Sequence, residues 1–319
     1  MKPPRYPLWI PTVLIFAIVL VFGISAWPRM MEEIGYLLDP ASRLRITPTN
    51  FPRIDTSIST QPIANLVFCR AAKVNCRWEQ SVTGETFLVP DSSSVPYTGY
   101  SGAHGAYENL ILKQADIIFV ARPPAPDELD FASRQGIVLE TRPIALDAFV
   151  FVVNSQNPLP SISPEQAKAI YTGQITNWSG VGLTDGALHA YQRDRNSGSL
   201  ELLETLVLQG EPAASLPKII DSTREPNNNI GSDPYSLSYS VYYYEARIYQ
   251  NPQMRVLAVN GLYPDANTIR QRQYPFTTEV YAVIRADQDR ESSAYHLYDW
   301  LLSKAGQALI EESGYVPVQ

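Results

Sequence analysis

Residues 8–27, LWIPTVLIFAIVLVFGISAW, carry no charge and follow Lys2 and Arg5. A helix needs about 20 apolar residues to cross a bilayer, and basic residues hold the preceding end in the cytoplasm. The run predicts an N-terminal transmembrane helix within residues 1–28, with the rest of the chain exported. A cleaved signal peptide is the alternative, with Gly23 and Ser25 as small residues for a cleavage site. The run is longer than the roughly 7–15 residues usual in a signal peptide, which favours an anchor. No cysteine stands near its end, which argues against a lipoprotein anchor. Residues 29–50 mix proline and charge with weak periodicity and read as a linker.

From Phe51 onward, short apolar runs alternate with helical periodicity, the arrangement that builds α/β sheets. Ile117 to Ala121, Ala148 to Val153, Val256 to Val259 and Val280 to Ile284 are nearly continuous β-branched or aromatic runs. Such runs predict strands buried on both faces, which need helices to cover them. Three-to-four spacing supplies the helices, at Ile63, Leu66 and Val67, at Tyr107, Leu110 and Ile111, and at Leu202, Leu203, Leu206 and Val207. A last helical stretch carries Leu297, Trp300, Leu301, Leu309 and Ile310 and stops at Gly314, a natural helix-ending residue. The Tyr-rich residues 235–249 predict a strand and its hinge in preference to an aromatic sugar platform.

With 319 residues, 45% hydrophobic and 18% charged, the chain can bury a large core, and two lobes behind a short leader are expected. A net charge of −7 argues against nucleic acid, whose backbone is bound by clustered Lys and Arg. A small anion remains possible, because a few backbone N–H groups and one or two arginines hold it locally. Cys69 and Cys76, the only cysteines, are seven apart in an exported segment, where a disulfide is permitted. On one continuous helix they would stand about 10 Å apart, so a bridge requires the helix to end between them. Both states stay open at this level. No histidines accompany them, so no metal site is expected, and nothing calls for a cofactor.

Three predicted helices follow small or hydroxyl-bearing turns: SISTQP (Ser57 to Pro62), SGAHGA (Ser101 to Ala106) and RNSGS (Arg195 to Ser199). Helix starts leave N–H donors unpaired and carry partial positive charge, so turns of this kind bind an oxyanion where they converge. Taken singly, each is accounted for by ordinary capping. RDRNSGS (Arg193 to Ser199) is the most specific, joining two arginines and two hydroxyls to Gly198, where backbone can approach closely.

ADIIFVARP (Ala115 to Pro123), PIALDAFVFVVNSQNPL (Pro143 to Leu159), IYTGQITNWSGVG (Ile170 to Gly182), RDRNSGS and GYVPV (Gly314 to Val318) resemble, in order, signatures of PstS-like phosphate-binding proteins of the type II periplasmic-binding-protein superfamily. The resemblance covers roughly residues 51–319. It implies a two-lobed α/β fold, mixed β-sheets flanked by helices, with residues 51–147 and 249–319 in lobe I and residues 148–248 in lobe II. The chain would cross between lobes near residues 145–149 and 244–252. By the same resemblance, Thr60 offers its hydroxyl and Gln61 its backbone N–H, Arg193 offers a paired guanidinium, and Ser197, Gly198 and Ser199 cradle the oxygens. It implies phosphate or a related oxyanion as ligand, a separate ABC permease and ATPase as partners, a monomer that closes about a hinge, and a place on the extracytoplasmic face.

Two departures stand out. Ala103 occupies the second turn where relatives carry Ser or Thr, leaving Ser101 and the backbone of His104 as donors. Arg122 occupies the position of an Asp that accepts a ligand proton, which removes the sequence basis for choosing phosphate over sulfate. A sensor or envelope scaffold with altered ligand binding is therefore the alternative reading. No nucleophile elbow, GK[ST] loop or His-Glu metal helix is present, and His104, His189 and His296 stand in unrelated contexts, so an enzyme is not expected.

Overall fold

The computed structural model describes residues 44–81, 84–91, 98–193, 197–216, 218–220 and 230–319. The N-terminal apolar run and Arg195 lie outside the described residues. Among the described residues no helix is long and apolar enough to cross a membrane.

The first part of the chain builds β1 (Ile54–Thr56), α1 (Gln61–Ala72), an antiparallel pair β2 (Cys76–Gln80) and β3 (Thr86–Pro90), β4 (Thr98–Gly99), α2 (Gly102–Ile111), β5 (Ile117–Val120) and α3 (Pro126–Arg134). α1 ends at Ala72 with Lys73 in the left-handed region, and the turn brings Cys76 back to Cys69, with Cα atoms 6.0 Å apart in a disulfide. The condition set by helix geometry, an end between the two cysteines, is met.

β6 (Leu139–Asn154) follows and organises the molecule. β7 (Ser161–Ile162), α4 (Pro164–Tyr171), β8 (His189–Arg193), α5 (Gly198–Leu202), β9 (Lys218–Ile220) and β10 (Ser236–Val241) come next. The chain closes with β11 (Met254–Val256), β12 (Ala258–Val259), α6 (Ala266–Arg270), β13 (Thr277–Arg285), α7 (Ser293–Trp300), α8 (Lys304–Ser313) and β14 (Val316–Pro317). Local chemistry fixes many of these starts. Ser163 caps α4 by accepting from the Gln166 amide while Gln166 reaches back, with Pro164 at the first position.

The fold is two-lobed α/β. The sheet runs β4-β1-β5-β13-β6-β10-β8-β9, and β6 changes partners midway. Residues 139–148 of β6 pair antiparallel with β13, and residues 149–153 pair with β10. β14 adds to the first half of β6, and β11 to the second. In β5 every residue is buried, Ile117 and Phe119 joining the main core while Ile118 and Val120 join a second cluster under α2. That is the two-sided burial its sequence predicts.

Three predicted elements come out differently. The stretch ending at Gly314 is two helices, α7 and α8, because Ser303 caps a new start and Gly306 packs against the end of α7. Leu202 to Val207 begin in α5 and continue as a π-helical turn, Leu203–Leu208, so Leu206 is only half-buried. Val256 to Val259 split at Leu257, whose amide bonds Phe151 of β6 while β12 turns to pair with β7. The Tyr-rich segment forms β10 and a π-helical turn, Tyr244–Ile248, a strand and a bend as expected.

Candidate functional site

The first turn leaves β1 and enters α1 through a short 3-10 turn, Ile58–Thr60. Thr60 is completely buried, and its hydroxyl donates to the Phe119 carbonyl at 2.6 Å while the Ser57 hydroxyl lies 2.9 Å away. The expected hydroxyl donor to a ligand is therefore a clamp that ties the turn to the end of β5, since one proton cannot serve two acceptors at once. Gln61 is the first residue of α1, half-buried beside this turn.

The second turn is organised by Asp55. Its buried carboxylate accepts from the Ser101 amide at 3.0 Å, the Thr56 amide at 2.8 Å and the Asn109 side chain at 2.6 Å. A Cβ on Gly99 would fall 2.9 Å from Asp55 Oδ1, so only glycine fits there. The Ser101 amide is thus committed inward, and its exposed hydroxyl accepts from Asn109. Ala103 and Ala106 face the core, which brings the first turn of α2 against β5 and its neighbours.

Arg122 follows β5 and is 4% exposed. Its guanidinium makes a two-pronged pair with Glu128, Nη2 to Oε1 at 2.6 Å and Nη1 to Oε2 at 2.8 Å, and Nη1 also donates to the Pro123 carbonyl. Glu128, 1% exposed, further accepts the Ala125 amide at 2.8 Å and contacts His104 Nδ1 at 3.0 Å. Its four acceptor sites are thereby filled. Burial pulls the guanidinium pKa down, but the Glu128 fork outweighs it and the net shift is upward. The Tyr107 ring lies 5.3 Å from the guanidinium carbon, and Tyr107 Oη donates to the Arg122 carbonyl. Only Nε of this buried side chain has no hydrogen-bond partner. His104, expected to act through its backbone, uses its ring to brace Glu128. His104, Asp127 and Glu128 also stand close enough to hold a cation, but Glu128 is already neutralised by Arg122.

The third turn joins β8 to α5. A Cβ placed on Gly198 would lie 3.4 Å from Ala103 Cβ and 3.8 Å from Arg122 Nε, so this turn closes directly on the start of α2 and on Arg122. Ser197, 7% exposed, has a hydroxyl without a protein partner. Ser199 is half-buried in the first turn of α5. Arg193, at the end of β8, is buried, and its amide donates to Tyr239 Oη. Its charge reaches Glu245 and Tyr244 on the π-helical turn after β10. Burial pushes the Glu245 carboxyl up to about 7, with the Ser240 hydrogen bond and Arg193 pulling the other way. Tyr244 Oη in turn donates to buried Glu85.

The structure thus brings Arg122, Ser197 and Gly198 to one junction with Ala103, and sets Arg193 beside Tyr244 and Glu245. Thr60 and Ser101 are committed to the scaffold. Sequence reasoning missed Glu128, Glu245, Glu85 and Asp55. Glu128 alone left a signal, because PDEL puts an acid at the third position of a helix that starts with Pro126, half of a capping box.

A separate cavity lies where β6 changes partners. It has a volume of about 60 Å³ and is lined by Asp147, Tyr242, Tyr243, Arg247 and Tyr315, among others. Asp147 is 1% exposed, with Oδ1 accepting the Ala148 and Tyr243 amides and Oδ2 buried without a partner.

Residues 90–305 match the sequence profile described as the PBP superfamily domain. Over 273 residues the chain is 22% identical to the phosphate-binding protein PstS of Borreliella burgdorferi, covering 83% of this chain and 89% of that protein. The fold superposes with a TM-score of 0.64 on a protein from Clostridium perfringens whose crystal structure holds bound phosphate, at 19% identity, over 83% of this chain and 98% of that one. An ABC-type phosphate transport receptor from Vibrio cholerae gives a TM-score of 0.60 at 19% identity, over 82% and 98%.

Proposed function

We propose that this chain, which belongs to the PBP superfamily, binds phosphate or a similar small oxyanion in the cleft between its lobes, outside the cytoplasm, and hands it to an ABC permease. The observation that carries this reading is the meeting of the Ser197-Gly198 turn with Ala103 and Arg122. Gly198 lets backbone from one wall approach a helix start and a guanidinium on the other. The relatives it resembles over most of its length are phosphate-binding proteins, and a neighbouring fold holds phosphate. The matched proteins are binding proteins, which fits the absence of any catalytic motif.

In this reading the walls separate to admit the anion and close on it, with Arg193 adding charge and Gln61, Ser197, Gly198 and Ser199 adding donors. The N-terminal apolar run serves as a tether that keeps the monomeric receptor near its permease.

Isothermal titration of the full-length chain with inorganic phosphate tests the proposal. Saturable one-to-one binding is expected, and no heat and no saturation would reject it. Arg193→Ala should weaken phosphate binding by at least about 2 kcal/mol, the usual loss for a buried charge-assisted contact. An unchanged affinity would remove Arg193 from the site.

A further inference from the structure

On the premise of the oxyanion-receptor reading, we infer that Glu245 governs how tightly Arg193 holds the anion. With a proton on Glu245, the Arg193 charge acts undiminished on the ligand. Without that proton, the carboxylate offsets the arginine and loosens its grip. Anion binding is thereby coupled to the proton of a side chain outside the proposed ligand contacts.

The strand pairing brings these groups together. Arg193 ends β8 and is 5% exposed, and its amide is anchored on Tyr239 Oη of β10 at 3.0 Å. β10 runs parallel to β8 and passes into the π-helical turn Tyr244–Ile248, which sets Glu245 just beyond the strand with its carboxyl accepting from the Ser240 hydroxyl. Tyr244 Oη donates to Glu85, 3% exposed, at 3.1 Å. Arg193, Tyr244, Glu85 and Glu245 thus form one cluster of polar groups in mutual electrostatic reach. The guanidinium keeps its proton throughout. Burial and Glu85 push the Tyr244 hydroxyl far up, so it keeps its proton too. Glu245 changes charge near neutrality, because burial pushes its carboxyl up to about 7 against the pull of Ser240 and Arg193.

The direction follows from the charges. Ionised Glu245 cancels part of the field of Arg193 and repels the anion that Arg193 attracts. In return, an anion held at Arg193 makes Glu245 harder to ionise, so the carboxyl keeps its proton to higher pH in the complex than in the free protein. The contribution of Glu245 to affinity is therefore level below about pH 6.5 and falls as pH rises through about 7. It levels again once Glu245 ionises in the complex as well. The groups facing Glu245 are Arg193 from β8, Ser240 from β10 and Tyr244 beside it on the turn, with Glu85 reached through Tyr244 from the connection between β2 and β3. Arg247, on the same turn, lines the cavity at Asp147.

The test is titration of the full-length parent and of Glu245→Gln with inorganic phosphate at about pH 6 and about pH 8.5. Ionisation of phosphate, and of the other groups in the protein, is common to both chains, so the ratio of their affinities reads Glu245. The ratio should be near one at about pH 6, and E245Q should bind about fivefold more tightly, or better, at about pH 8.5. Ser240→Ala removes the hydrogen bond that favours the charged carboxyl, and it replaces E245Q should that chain fail to fold. It too should match the parent at the lower pH and bind more tightly at the higher. A ratio that does not change with pH, or weaker binding by the variant at the higher pH, would overturn the inference and leave the receptor reading standing. If the parent binds no phosphate at either pH, the receptor reading itself falls.

Discussion

At Asp147 a fully buried carboxylate keeps one oxygen on two backbone amides and the other bare. Burial pushes its carboxyl up to about 7 against the pull of those amides. The unfolded chain releases this proton near the ordinary value of about 4, so between about pH 4 and about pH 7 the folded state holds more protons than the unfolded one. Stability contributed here is present at low pH and is lost as pH rises, by an amount on the order of 4 kcal/mol at most. Asp147→Asn keeps an oxygen for the Ala148 and Tyr243 amides and removes the charge. It should therefore be as stable as the parent near about pH 4 and clearly more stable near about pH 8, read by urea denaturation at both values. Glu245, raised in the same direction, leaves part of the slope in place in that variant. Equal stabilities of D147N and parent at high pH would show that Asp147 is not ionising in the fold. Single residues were also where sequence reading reached least far. Arg122 stood out as a departure from the family pattern, but its partner lies six residues on, across a turn and a new helix, and no periodicity links the two. The Thr60 hydroxyl, expected to face a ligand, donates instead to the Phe119 carbonyl, an acceptor 59 residues away in the chain that no local pattern indicates.

At the level of elements the pattern was more legible. β5 and β13 announce themselves as apolar runs, and α1 and α2 by three-to-four spacing, because burial on one or two faces is written directly into side-chain polarity. What polarity does not encode is where a helix stops when both sides of the stop are buried. α7 and α8 share one continuous apolar stripe, and the break depends on contact between backbones. A Cβ on Gly306 would stand 2.3 Å from the Trp300 carbonyl oxygen and 2.6 Å from that of Leu301, and Gln307 donates to the same Leu301 oxygen. Gly306→Ala should cost about 1–3 kcal/mol, as overpacking does, and the measure is the midpoint of chemical unfolding. A fully stable G306A chain would mean the two helices separate readily. The Cys69–Cys76 bridge ties the end of α1 to the start of β2 across a short loop. Chain entropy puts its contribution at about 2–3 kcal/mol, so a reducing agent should lower the unfolding temperature by several degrees. A Cys69→Ala/Cys76→Ala chain should match the reduced parent.

For the whole molecule, the two-lobed architecture was expected from resemblance and follows physically from β6, whose 16 residues serve β13 first and β10 afterwards. Alternation of strands and helices along the sequence indicates an α/β sheet, but it does not reveal that one strand belongs to both lobes. A ligand that bridges the walls adds its binding energy to the folded state, so phosphate at about a hundred times its dissociation constant should stabilise the protein by about 2.7 kcal/mol. Thermal unfolding with and without phosphate reads this as a higher melting temperature, and no shift with excess phosphate would mean that the folded chain does not bind the anion. A sixteen-residue strand laddered from end to end is a stiff ribbon, unlike the slack connection of a loop. Any parting of the walls would have to bend or twist that ribbon, which would act as a leaf spring and return them to one alignment.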